Sequence, residues 1–355
     1  MINNKKIKVL IVDDSSYVRA ILTNIFNSDE RLQVVGSAVD PFDAREKIKQ
    51  LHPDVLTLDI EMPKMDGITF LKNLMRLRPM PVVMVSTLTE SGAPATLEAL
   101  ALGAFDFVSK PKDGARGLEQ YSEDIIEKIV AAAHSRIRPL ENSFDKPLKR
   151  VFLSPSNKVV RANYLVAIGS STGGTEAIKD VLLGLPENCP PIVIAQHIPE
   201  GFSKSFAKRL DNLCGMRVYE AEDAQPIEAG AAYLAPGHSH LEVRKKFGGF
   251  ECKLNQGELV NRHRPSVDVL FDSVISAVGQ NALGALLTGM GADGAAALLR
   301  MRNAGCRTVI QDEASSVVWG MPGAAFNLGA AEKVLSLEKI AAYIIYQSYC
   351  APENN

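Results

Sequence analysis

The stretch from Tyr164 to Thr175 restricts the possible folds of this chain more than any other. Leu165 to Ile168 is an apolar run with the length and branching of a buried strand. It ends at Gly169 in a serine-rich turn that passes into a helical pattern at Thr175. A strand, a sharp turn and a helix in succession belong to a wound α/β sheet, with Ser171 at the apex of the turn. The spacing Gly169-Ser170-Ser171-Thr172-Gly173 fits G-x-S-x-G, whose flanking glycines permit the turn and present a serine hydroxyl beyond the sheet edge. The match selects Ser171, not Ser170, as nucleophile. Two other readings compete. A dinucleotide loop, G-x-G-x-x-G, needs glycine where Ser171 stands. A plain turn would use its Ser and Thr hydroxyls only to cap the next helix, so partners elsewhere must decide.

A chain of 355 residues is too long for one ordinary core and suits two domains. With 46% hydrophobic and 23% charged residues it has ample material for buried cores. Its net charge of -2 argues against nucleic acid as a partner. The 5 cysteines, Cys189, Cys214, Cys252, Cys306 and Cys350, are scattered and never spaced C-x-x-C, so they read as reduced thiols of a cytoplasmic protein. No apolar run is long enough to span a bilayer, and Ile7 to Val12 is too short for a signal segment and reads as a first strand.

Residues 1–133 form the first expected domain. Apolar runs at Lys8 to Val12, Gln33 to Ala38, Val55 to Ile60, Val82 to Ser86 and Asp106 to Ser109 alternate with helical patterns such as Val18 to Phe26, Ala44 to Leu51 and Ile125 to Ala133. Such alternation implies a parallel sheet with helices on both faces. Asp40-Pro41 reads as a helix N-cap and first turn, and Asp66-Gly67 as a turn before a helix over Ile68 to Arg78. Function collects beyond the carboxyl ends of such strands. There stand Asp13 and Asp14, Asp59 and Glu61, Ser86 and Thr87, and Lys110. Carboxylates converging from two strands repel unless a hard cation joins them, which points to magnesium. Asp59 is then placed to attack phosphorus, with Lys110 neutralising phosphoryl oxygens and Ser86 offering a hydroxyl.

This region resembles response-regulator receiver domains. The resemblance implies a flavodoxin-like fold, Asp59 as phosphoacceptor, and Mg2+ held through Asp13, Asp14, Asp59 and the backbone of Glu61. It also implies that Ser86 and Lys110 read the phosphate, that Phe107 occupies an aromatic switch position, and that Lys110-Pro111 is a cis peptide.

Residues 134–161 lose periodicity, with Pro139, Pro147 and Pro155 among basic side chains, and read as a tether. Over residues 162–350 αβ alternation resumes, again as a wound, mostly parallel α/β sheet. Strands are expected at Leu165 to Ile168, Ile192 to Ala195 and Leu283 to Leu287, each followed by a helix. Ala231 to Leu234, Leu241 to Arg244 and Phe250 to Leu254 read together as an antiparallel insertion turning at Pro236-Gly237 and Gly248-Gly249.

Three strand ends of this second domain supply Ser171, His197 and Asp293, the complement of a triad: nucleophile, imidazole base, and carboxylate to hold the tautomer. Their order differs from the familiar serine hydrolases. Met290, between Gly289 and Gly291, is the candidate backbone donor to an oxyanion. Asp293 is alternatively the N-cap of the helix that follows it, or serves both ends. His238 and His240 lack a third ligand and read as a turn. Arg264 either meets a carboxylate substrate or belongs to a helix start capped by Ser266. Trp319 precedes a loop at Gly320 to Gly323 and carries no catalytic role.

The motifs around Ser171, His197, His263 to Asp268 and Asp293 resemble the chemotaxis protein-glutamate methylesterases. That resemblance implies hydrolysis of glutamate methyl esters, and deamidation of glutamines, on methyl-accepting chemoreceptors. No cofactor is implied for the ester reaction, and a chemotaxis histidine kinase is the implied phosphodonor. Ser170 and Ala292 depart from the frequent alanine and asparagine, and Ser170 adds a competing hydroxyl. A phosphorylation-dependent, receptor-binding adaptor without catalysis is the alternative.

Overall fold

The computed structural model describes residues 5–87, 92–110, 118–135 and 159–350. The chain divides into two compact units, residues 1–146 and 147–355.

In the first unit the apolar runs become β1 (Ile7–Val12), β2 (Leu32–Ala38), β3 (Val55–Asp59), β4 (Val82–Ser86) and β5 (Asp106–Ser109). They form a 5-stranded parallel sheet in the order β2-β1-β3-β4-β5. The intervening helices are α1 (Ser16–Asn27), α2 (Pro41–Leu51), α3 (Gly67–Leu77), α4 (Ala93–Ala101) and α5 (Leu118–His134). β3 and β4 are buried along their whole length, as strands covered by helices on both faces must be. Local chemistry sets the helix starts. The Asp40 carboxylate accepts from Phe42 N and Asp43 N with Pro41 in the first turn of α2, and Asp66 accepts from Thr69 N at 2.8 Å at the start of α3.

The second unit contains β6 (Val159–Val160), β7 (Leu165–Ser170), α6 (Gly174–Leu183), β8 (Ile192–Gln196), α7 (Ser203–Leu213), β9 (Arg217–Glu220), β10 (Pro226–Ile227) and β11 (Ala231–Leu234). There follow β12 (His240–Lys246), β13 (Gly249–Asn255), α8 (Val267–Val278), β14 (Ala282–Leu286), α9 (Ala295–Asn303), β15 (Arg307–Gln311), α10 (Met321–Asn327), β16 (Lys333–Leu335), α11 (Leu337–Ser348) and β17 (Tyr349–Cys350). A 7-stranded parallel sheet, β16-β15-β14-β7-β8-β11-β9, has β7 at its centre. Leu165, Val166, Ala167 and Ile168 are wholly buried there.

Two expectations need correction. Ala231–Leu234 does not belong to the antiparallel insertion; it pairs in parallel with β8 and β9 as part of the main sheet. Only the β12–β13 hairpin is antiparallel among the expected three, turning at Gly248, whose φ of 82° is the left-handed conformation glycine tolerates. The segment after Trp319 is not a loop but α10, since Pro322 in a first turn has no N–H to lose from the helix. Of the expected tether, residues 136–158 lie outside the described residues, as does Pro111 of the expected cis peptide. Val159–Val160 pairs antiparallel with Tyr349–Cys350.

All 5 cysteines are free. Among the described residues no helix is long and apolar enough to cross a membrane.

Candidate active site

In the second unit the strand register sets the geometry. Ser170 pairs with Gln196 across β7 and β8, so Ser171 and His197 leave adjacent strands at the same level. His197 N donates to Ser170 O at 3.1 Å, and Ser171 N to Thr288 O at 3.0 Å beyond β14. Three chain segments are thereby fastened to one another at the carboxyl edge of the sheet.

The Gln196 side chain braces the turn. Its Oε1 accepts from Ser170 Oγ at 2.6 Å, and its Nε2 donates to Ser171 O at 2.9 Å and His197 O at 3.0 Å. Ser170 is wholly buried. Its hydroxyl is therefore committed to Gln196 and does not compete with that of Ser171, which corrects the expectation. Ser171 is half-buried, and its Oγ makes no hydrogen bond to another described residue. Neither Ser170 nor Ser171 caps the helix that follows. α6 has Gly173 as its N-cap, at a φ of 76° and without a side-chain cap.

His197 Nε2 lies 2.8 Å from Asp293 Oδ2. Burial pushes the Asp293 carboxyl up, but the hydrogen bond and charge of His197, with Asn261 and the Val267 N–H, hold it well below its ordinary range. An ionised carboxylate only accepts, so Nε2 carries the proton and Nδ1 of the neutral ring carries a lone pair. Nδ1 is buried and has no hydrogen-bond partner among the described residues. The ring thus offers Nε2 to the carboxylate and leaves Nδ1 without a partner among the described residues, the reverse of the nitrogen assignment in the familiar triad.

Asp293 does not cap the helix that follows it; Gly294 is the N-cap of α9. It caps α8 instead. Its oxygens accept from Val267 N at 2.7 Å, Asp268 N at 3.3 Å, Ser266 Oγ at 2.9 Å and Asn261 Nδ2 at 2.7 Å. The positive end of α8 thereby adds to the stabilisation of the anion. Ser266 stands at the N-cap position of α8, but its hydroxyl serves Asp293 and not the helix.

The turn bearing Met290 is held from the other side. Thr288 Oγ1 donates to Thr172 O at 3.0 Å and accepts from Val317 N and Val318 N at 3.1 and 3.0 Å. Gly289 O accepts from Gly320 N and Met321 N. A Cβ at Gly289 would lie 2.8 Å from Ser171 Cβ, so only glycine lets this turn approach Ser171 so closely. Met290 is half-buried, and its N–H has no acceptor among the described residues.

Other sequence candidates fall into structural roles. His240 is buried, its Nδ1 accepting from Ser266 N at 3.1 Å and its Nε2 donating to Glu258 O at 2.9 Å. Arg264 Nη1 donates to the carbonyls of Gln256 and Gly257. Gln196, Asn261, His263 and Thr288 were not anticipated. His263 and Asn261 could have been suspected, since His263 opens a motif already singled out and Asn261 lies two residues before it.

In the first unit Asp13, Asp14 and Asp59 bring ligand oxygens within 4.8 Å of one another. Lys110 Nζ lies 2.7 Å from Asp59 Oδ2 and 3.2 Å from Asp13 Oδ2. Burial pushes Asp59 up to about 6; the Lys110 hydrogen bond opposes this, and the charge of Asp13 adds to it. Burial also raises Asp13, whose Oδ2 is buried without a hydrogen bond. Two buried carboxylates sharing one ammonium, with Asp14 beside them, fit a hard divalent cation. Glu61 is exposed and meets Asp59 through its backbone, Glu61 N donating to Asp59 Oδ1 at 3.3 Å. Ser86 ends β4, its Oγ donating to Thr87 O at 3.3 Å. The Phe107 ring is buried, and Lys128 Nζ sits 5.9 Å from its centre while donating to Phe107 O.

Residues 166–344 match the family described as CheB methylesterase, and residues 9–121 that described as response regulator receiver domain. The chain belongs to the CheB methylesterase family. The two matched spans fall one in each compact unit. A family relative from Saccharophagus degradans, protein-glutamate methylesterase/protein-glutamine glutaminase 2, is 58% identical over 342 residues, covering 96% of this chain and 98% of its own. One from Hahella chejuensis, protein-glutamate methylesterase/protein-glutamine glutaminase 1, is 55% identical over 346 residues and covers 96% of each chain. The solved structure of the Thermotoga maritima CheB methylesterase catalytic domain shares 36% identity at a TM-score of 0.51, covering 52% of this chain and 97% of that one. The resemblance read from the motifs and the mixed fold class are both correct.

Proposed function

We propose that the chain hydrolyses glutamate γ-methyl esters of chemoreceptors through Ser171, His197 and Asp293, under control of phosphorylation at Asp59. The observation that carries this reading is the engagement of His197 Nε2 by Asp293, which leaves Nδ1 as the base at the sheet edge where Ser171 emerges. Ser171 Oγ attacks the ester carbonyl while Nδ1 takes its proton, and Asp293 stabilises the imidazolium that forms. The Met290 N–H receives the oxyanion. As the carbonyl re-forms, methoxide leaves with the proton from Nδ1 as methanol. Water then attacks the acyl-serine with Nδ1 again as base, releasing the glutamate carboxylate and restoring Ser171. The same cycle on a glutamine side chain releases ammonia, the second activity in the names of the relatives.

Residues 1–133 act as the receiver, 134–161 as tether and 162–350 as the catalytic domain. Asp13, Asp14, Asp59 and the backbone of Glu61 are the residues that would hold Mg2+, which supplies charge neutralisation for the phosphoryl oxygens when bound. Asp59 is the phosphoacceptor, Lys110 pairs with it, and Ser86 and Phe107 respond to the phosphate. A chemotaxis histidine kinase is the donor, and the protein works in the cytoplasm.

The test is methanol release from methylated receptor membranes by wild type and Ser171→Ala, each with and without Mg2+ and a small phosphodonor. Release by wild type alone, increased by phosphodonor with Mg2+, is the expected result. No release from folded wild type with Asp59 phosphorylated points instead to an adaptor.

A further inference from the structure

We infer that His263 is a positioning residue for His197, its ring clamping the plane of the imidazole so that Nδ1 stays aimed at Ser171. This rests on the roles given above to Ser171, His197 and Asp293. The His263 ring lies against that of His197 with centroids 3.7 Å apart and planes 16° from parallel. The bond to Asp293 fixes the Nε2 corner of His197 at 2.8 Å, while the Nδ1 corner makes no hydrogen bond among the described residues. One point of attachment leaves the ring free to tilt about it. A flat ring in contact with its face removes that freedom.

His263 is itself held in place. Val260 and His263 exchange backbone hydrogen bonds of 3.1 and 2.9 Å, closing a tight turn in which Asn261 and Arg262 adopt φ of 53° and 68°. The same short segment supplies Asn261 and Ser266 to Asp293. It therefore grips both members of the pair, the carboxylate by hydrogen bonds and the imidazole by its face. A displacement of about 1 Å in a reacting group costs on the order of 10²-fold in rate, so the loss of such a clamp falls on kcat.

The experiment uses the full chain with Mg2+ and a small phosphodonor, measuring methanol release from methylated receptor membranes for wild type, His263→Ala, His263→Leu, His263→Phe and Ser171→Ala. Reaction of Ser171 with a phosphonofluoridate serves as a second, substrate-independent readout. His263→Ala and His263→Leu are expected to lower kcat by about 10- to 100-fold with KM changed less than about 3-fold. His263→Phe, which keeps a flat ring, restores kcat to within about 5-fold of wild type. Where His263→Ala fails to fold, the contrast between Leu and Phe carries the test. Wild-type kcat in the Leu variant, a loss confined to KM, or equal losses in Leu and Phe would overturn the inference while leaving the triad intact. Hydrolysis retained by Ser171→Ala would overturn the nucleophile and this inference with it.

Discussion

Gln196 joins the fold to the turn that bears Ser171, and its removal gives a quantitative test. Three hydrogen bonds, of 2.6, 2.9 and 3.0 Å, run from its side chain to Ser170 Oγ, Ser171 O and His197 O. In Gln196→Ala the two carbonyls belong to half-buried residues, and each lost bond costs about 0.5–1.5 kcal/mol. Ser170 is wholly buried, and its stranded hydroxyl costs about 1–3 kcal/mol more. Ser170→Ala strands the buried Gln196 Oε1 and costs about 1–3 kcal/mol for the same reason. The double variant strands neither atom, so it is more stable than the sum of the single losses predicts, with a coupling of about 1–3 kcal/mol. Urea titration followed by tryptophan fluorescence measures this cleanly. The chain has 1 tryptophan, Trp319, and it lies in the second unit, so the receiver does not contribute to the signal. Losses that add to within about 0.5 kcal/mol would refute the brace.

Two further outcomes follow from the same geometry. Gly289→Ala places a methyl 2.8 Å from Ser171 Cβ and 2.3 Å from Met321 Sδ. It is expected to lower kcat for methanol release by about 10- to 100-fold, and an unchanged kcat in the folded variant would show that the turn yields freely. The Asp293 carboxyl is held below its ordinary value of 3.8, so its stabilising contribution is complete above that pH and is lost as pH falls toward the folded-state value. The Trp319-reported urea midpoint of wild type should therefore fall below about pH 4 more steeply than that of Asp293→Asn. Parallel slopes would contradict the assignment.

Much of this was legible from local pattern. β4 begins and ends where its apolar run does, because a parallel strand buried along its whole length reads as one continuous run. The meeting of His197 with Asp293 could be anticipated, since both stand at strand ends of one wound sheet. What escaped was decided by contacts between distant segments. Ala231–Leu234 has the composition of a hairpin strand and sits between hairpin-like neighbours, yet its pairing with β8 and β9 depends on which edge is open. Asp293 stands where a cap of α9 would stand, but its oxygens turn to α8, some 26 residues back along the chain. Ser170 looked like a rival hydroxyl because nothing local announces that Gln196 will cover it. α10 was hidden by its own glycine and proline, signals that mark a break everywhere except in a first turn.

The capping of α8 by Asp293 has a bearing on how such enzymes decay. A mutation that removes the carboxylate strips the start of a helix of its acceptor as well as disarming the imidazole, so selection for a folded protein alone would retain it. Ser171 shows no such second duty, for its hydroxyl makes no hydrogen bond to another of the described residues. Among descendants of this fold, a lineage released from catalysis would therefore shed its serine first and keep its aspartate as an architectural relic. The serine is the position that dates the loss.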